Sequence, residues 1–132
     1  MATFHFELVS PGKVLFSGPA QSVLVPGNEG DFLVLSDHAP VMTSVRPGVV
    51  GIDDVDGKHR RVFVRGGFAD ASKGGLILLA ETAIPFEDLS ADKLGEEIKS
   101  AEEDVADASE DDKRLAQEKL DRLRELKDAM KL

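Results

Sequence analysis

The sequence predicts a two-part fold, an antiparallel β-sandwich from residue 1 to about 86 followed by an antiparallel two-helix hairpin from 87 to 132. Three observations carry this. Apolar residues alternate with polar ones in short runs up to Phe86, glycine- and proline-rich pairs punctuate those runs, and the apolar period then changes from two to about 3.6.

The first run, "TFHFELVS", sets Phe4, Phe6 and Leu8 on one face and His5, Glu7 and Val9 on the other. "KVLFSG", "SVLVPG", "DFLVL", "VMTSV", "GVVGI", "RRVFVRGG" and "GLILLAE" follow as candidate strands. Turns are expected at Pro11-Gly12, Gly18-Pro19, Pro26-Gly27, Pro47-Gly48, Asp56-Gly57 and Gly74-Gly75. Asp56-Gly57, between "GIDDV" and "KHRRVFV", has the chemistry of a tight hairpin. So many short strands at regular spacing read as a sandwich or flattened barrel.

From Asp88 onward there is no proline, and Gly95 is the single glycine. Leu94, Ile98, Ala101, Val105 and Ala108 form one helical stripe, with Ser90 as N-cap and Asp92 in the first turn. "DASEDDKR" interrupts the stripe, and Ser109 with Asp112 has the spacing of a capping box opening a second helix. Ala116, Leu120, Leu123 and Met130 line that helix, with Leu115 and Leu126 widening its face. The first helix and the loop are acidic and the second helix is richer in Lys and Arg, so each screens the other; the basic helix is also suited to leave and meet an acidic partner.

Composition narrows the function. The formal net charge is −9 and there is no Trp or Tyr, so the chain lacks both the basic stripe and the stacking platforms of a nucleic-acid binder. With no Cys and three scattered His, no metal-ligand spacing exists. The N-terminus has no signal-peptide pattern, and no apolar run approaches the roughly 18 residues of a membrane span. "LSDHAP" sets Ser36, Asp37 and His38 side by side, the residue types of a hydrolytic triad. Consecutive residues cannot converge on one reacting atom, and Pro40 extends the chain behind them. "PGNEGDF" lacks the lysine and spacing of a phosphate loop. A binding or structural protein is therefore expected rather than an enzyme. Two other classes stay open: a small β-sandwich hydrolase using His38, and a generic adaptor with a helical dimerisation tail. Loss of a measured activity in a folded His38→Ala protein distinguishes the first, and a stable homodimer the second.

The stretches "MATFHFELVSPGKVLFSG", "NEGDFLVLSDHAPVMTSVRPG", "VRGGFAD" and "LLAETA", in this order, resemble the epsilon subunit of bacterial F-type ATP synthase. The resemblance implies a non-catalytic rotor-stalk subunit that couples the proton-driven c-ring to gamma and the catalytic head. It implies a peripheral position on the cytoplasmic face of the inner membrane, held there only through the complex. Glu29 and Asp31 match positions facing the c-ring; His38, Ala39, Pro40, Met42 and Thr43 match the segment near gamma. The hairpin of this family either folds down or extends toward the alpha and beta subunits and hinders ATP hydrolysis; Arg114, Arg122, Arg124 and Lys127 are the cations suited to that contact. Some members bind ATP through (I/L)DxxRA. Here "LSADKL" keeps Leu89, but Ser90 stands for the Asp, Lys93 for the Arg and Leu94 for the Ala, so no ATP or other cofactor is expected.

Overall fold

The computed structural model describes residues 2–132. The chain divides into two compact units, one ending at Glu87 and one spanning Asp88–Leu132.

The first unit contains seven strands: β1 (Phe4–Ser10), β2 (Lys13–Gly27), β3 (Gly30–Val34), β4 (Val41–Ser44), β5 (Gly48–Asp54), β6 (His59–Ser72) and β7 (Gly75–Pro85). β1 pairs with β7, β7 with β6, β6 with β5, β5 with β2, and β2 again with β1, so five strands close on themselves. β3 is added to β2, and β4 to β6. Six of the seven pairings are antiparallel; β1 with β7 is parallel, a departure from the all-antiparallel expectation. That pairing joins the two sequence ends of the sandwich. It forms because a paired β1 leaves no open edge between β2 and β7.

Phe4, Phe6 and Leu8 point inward, as their alternation predicts, and join Val23, Val25, Val50, Ile52, Leu76 and Leu78 in one core. The inward positions of β6 are Val62 and Val64 before Gly66-Gly67, but Ala69 and Ala71 after it. Both glycines have positive φ, +74° and +109°, and a Cβ on Gly67 would collide with the Leu79 carbonyl oxygen. This kink lets one strand pair with β5 through its first half and with β4 through its second.

Gly18-Pro19 is not a turn. β2 runs through it for 15 residues. Its first part pairs with β1, its second with β3 and β5, and the register slips between Ala20 and Ser22 where the β5 pairing begins. A glycine–proline pair weakens the ladder where the strand changes neighbours. Pro26-Gly27 likewise closes β2, and the turn itself falls on Asn28-Glu29.

A 3-10 turn at Phe86–Asp88 follows β7. The second unit consists of α1 (Ala91–Asp107) and α2 (Glu110–Met130), joined through Ala108 and Ser109. Ser90 caps α1, its hydroxyl accepting from the Lys93 amide at 3.2 Å. Leu94, Ala101, Leu120, Leu123 and Leu126 are buried. Two details differ from expectation here. Ser109 stands at the N-cap of α2 as expected, but its hydroxyl takes no backbone amide and donates instead to the Asp112 carboxylate at 3.1 Å. Leu115 is 45% exposed, since it lies off the Leu120–Leu123 side of the helix.

Candidate functional site

Ser36 and Asp37 occupy a turn after β3, and the His38 amide closes it onto the Leu35 carbonyl at 3.0 Å. The imidazole spans two carbonyl oxygens. Nδ1 lies 2.7 Å from that of Leu35 and Nε2 2.7 Å from that of Ser72, beside the β6–β7 turn. The Phe4 ring stands edge-on to it at 5.5 Å. His38 is a strap between two turns; its nitrogens are spent on backbone rather than on Ser36 or Asp37, which removes the base a triad needs.

Beyond this corner lies the outer face of β2, β1, β7, β6 and β4. Register places Val14 opposite Val9, Val9 beside Leu79, Leu79 opposite Phe68 and Phe68 opposite Ser44. The next row is Ser17, Glu7, Ile77, Asp70 and Met42. Side chains two apart on a strand share a face, so both rows point outward on β1, β7, β6 and β4; on β2, Val14 and Ser17 are three apart and align with these rows through the register shift between Leu8 and Val9. Met42 is 67% exposed, Val14 63%, Ile77 44%, Phe68 42% and Leu79 40%. A contiguous apolar band with interspersed carboxylates marks a protein-contact surface. Met42 belongs to it; Thr43, the next residue, faces the other way and pairs with buried Ala69. Ala39 and Pro40 are exposed in the segment leading into β4. Sequence reasoning reached only the Met42 end of the band. The available signal was "GLILLA", where apolar residues occupy both parities of one strand and so imply that both faces become covered.

Glu29 is exposed in the β2–β3 turn. Asp31 opens β3 and is bound by Arg46, Nη2 to Oδ1 at 3.0 Å. Backbone bonds from Asn28 to Ser44 and from Arg46 to Pro26, both 2.9 Å, fasten this turn to the segment after β4. Glu29 is thus presented on a braced turn, and Asp31 shares its charge with Arg46.

Among the described residues, one carboxylate is buried. Asp54 is 4% exposed at the base of the β5–β6 hairpin, the turn that Asp56-Gly57 predicts. Burial raises its pKa, but the amides of Lys58 and Asp56 and the Arg60 guanidinium outweigh that and hold it below the ordinary carboxylate value. Hydrogen bonds from His59 and Ser22 hold Asp53 low as well. General acids need the opposite shift. These carboxylates stabilise a turn, and among the described residues no cluster of three or more potential metal ligands occurs.

In the helical unit, Arg114 pairs with Glu118 at 3.1 Å and Arg122 with Glu125 at 3.6 Å. Arg124 reaches from α2 to Glu102 of α1 at 3.2 Å, and Lys127 lies in the last turn of α2. The mutual screening of an acidic and a basic helix is therefore realised in part through direct contact, as between Arg124 and Glu102. Of the degenerate nucleotide-motif positions, Leu89 is half-buried before the cap, Ser90 is the cap, and Lys93 is exposed in the first turn. No helix among the described residues is long and apolar enough to cross a membrane.

Residues 3–86 match the family model of the ATP synthase delta/epsilon chain β-sandwich domain. The chain is 49% identical over 124 residues to the ATP synthase epsilon chain of Parvibaculum lavamentivorans, covering 93% of this chain and 94% of the relative. It is 47% identical over 110 residues to that of Maricaulis maris, covering 83% and 82%. Among solved structures, a chain of the mitochondrial ATP synthase of Euglena gracilis superposes with a TM-score of 0.73 at 21% identity, covering 98% of this chain and 82% of that one. The fold, the family match and the extent of both alignments agree: the chain belongs to the ATP synthase epsilon chain family.

Proposed function

We propose that the chain is a non-catalytic coupling subunit of the central stalk, gripping gamma with the outer face of β1, β4, β6 and β7 and resting on the c-ring through the β2–β3 turn. The exposed band of Val14, Val9, Leu79 and Phe68, with Met42 in the next row, carries this reading. It lies on a closed five-strand ring, and a close-packed closed body transmits load with little deformation. Glu29, exposed on its braced turn, is the acceptor for polar loops of the ring, with Asp31 contributing alongside Arg46. His38 holds the edge of the gamma face by tying the β3–β4 connection to the β6–β7 turn.

The helical unit is the regulatory part in this reading. Arg114, Arg122 and Arg124 exchange their intramolecular carboxylates for acidic surfaces of the catalytic alpha and beta subunits when the helices extend, with Lys127 joining that contact, and ATP hydrolysis slows. Such an exchange is feasible because exposed ion pairs are worth only about 0–1 kcal/mol each. Ser90 already serves as a helix cap and Lys93 lacks a guanidinium fork, so the isolated chain binds no ATP. The site of action is the cytoplasmic face of the inner membrane, reached through the complex.

The test combines purified gamma with this chain on a sizing column, then assays ATPase of the assembled head with the full chain and with a form ending at Glu87. A one-to-one complex and faster hydrolysis with the short form are expected. Folded partners that elute separately overturn the coupling reading, and equal hydrolysis overturns the regulatory one.

A further inference from the structure

An apolar pocket of about 420 Å³ opens in the outer face, walled by Val9, Ser10, Pro11, Phe68, Leu79 and Glu81. Gly67, at the β6 kink, also lines it. Glu81 stands at one rim. Its carboxylate lies over Gly66, where a Cβ would meet Oε2 at 2.5 Å. It has no ion-pair partner among the described residues. On the other side of the Leu79–Phe68 row, Glu7 and Asp70 flank Ile77. The apolar band is therefore bordered by carboxylates along both edges.

Resting on the reading that this face grips gamma, we infer how it recognises its partner. The pocket takes one large apolar side chain of the gamma subunit as an anchor, and Glu81 takes a Lys or Arg of gamma next to that anchor. The apolar anchor determines how long the complex lasts, because a side chain seated in a desolvated pocket is the usual hot spot. The acidic border determines how fast the complex forms and in which register, since complementary charge acts mainly on association. The same border argues against a second copy of this chain as occupant, because two such faces would oppose carboxylate to carboxylate.

Surface-captured gamma tests this with Leu79→Ala, Phe68→Ala and Glu81→Lys chains, at low and high salt. Each variant is checked first by thermal unfolding, and all three positions are exposed enough to substitute without opening the core. Leu79→Ala and Phe68→Ala are each expected to weaken binding about tenfold through faster dissociation. Glu81→Lys is expected to slow association about tenfold at low salt, with the difference vanishing at high salt. A Lys→Glu or Arg→Glu change in gamma then restores the rate with Glu81→Lys. Wild-type chain that fails to bind gamma overturns the docking reading and this inference with it. Wild-type chain that binds while Leu79→Ala and Glu81→Lys bind equally well overturns this inference alone.

Discussion

The two units are held together in opposite ways. In the sandwich almost every strand depends on one distant in sequence: Phe6 sits beside Leu76, and Val23 beside both Val34 and Ile52. In the helical unit the backbone bonds are local, and the side-chain bonds include i,i+4 pairs such as Arg114–Glu118 and Gln117–Asp121. A closed ring cannot lose one strand without opening the whole. A pair of helices can keep its hydrogen bonds while it relocates. Interdependence among the strands and self-sufficiency in the helices thus follow from the range of the contacts rather than from composition.

The contrast is sharpest in the core. Phe6 is fully buried and its ring lies 5.5 Å from that of Phe16. Phe6→Ala is expected to destabilise the sandwich by about 3–5 kcal/mol, a large part of the ~5–15 kcal/mol that holds an ordinary domain. Leu115→Ala, on an exposed position of α2, should change stability by no more than about 0.5 kcal/mol. Urea unfolding of both variants measures the gap, and similar losses would erase the distinction.

Asp54 gives the sandwich a dependence on pH. Its carboxyl is held low in the folded chain, so the stability it supplies is fully present above the unfolded value near pH 4 and is lost as pH falls through the folded value. Asp54→Asn keeps some hydrogen bonds but not the charge that faces Arg60. The variant should melt lower than the parent at pH 7, with the difference shrinking steadily below about pH 4. Thermal melts across that range check it; a difference independent of pH would assign the role to shape alone.

The sequence makes some of this legible and not the rest, for physical reasons. Phe4, Phe6 and Leu8 announce their face because alternation is a local property. Ser90, Leu94 and Ala101 announce a capped amphipathic helix for the same reason. The parallel β1–β7 pairing leaves no local trace, since nothing in "FELV" specifies "LILL" as its neighbour. Gly18-Pro19 has turn chemistry, yet the ladder on both sides carries the strand through it. The outer band escapes for a related reason. Val14, Val9, Leu79 and Phe68 come from four strands and become one row only once the register is known. Even Met42 and Thr43, neighbours in the segment matched to gamma, separate onto two faces when β4 pairs with β6.

The smallest effect tests the separateness of the two units most directly. Gly95 lies inside α1 with no heavy atom near the place a Cβ would occupy. Gly95→Ala should therefore strengthen α1 by up to about 1 kcal/mol without a steric penalty. Amide hydrogen exchange is expected to be faster from Leu89 to Leu132 than in the sandwich strands. If the helices open on their own, the alanine should slow exchange roughly fivefold in α1 and leave the amides of Phe6 and Leu78 unchanged. If helices and strands open together, the slowing should appear in both at once. Equal protection in the parent chain, or a shared response to this methyl group, would mean that the helices are bound into the sandwich and cannot relocate independently.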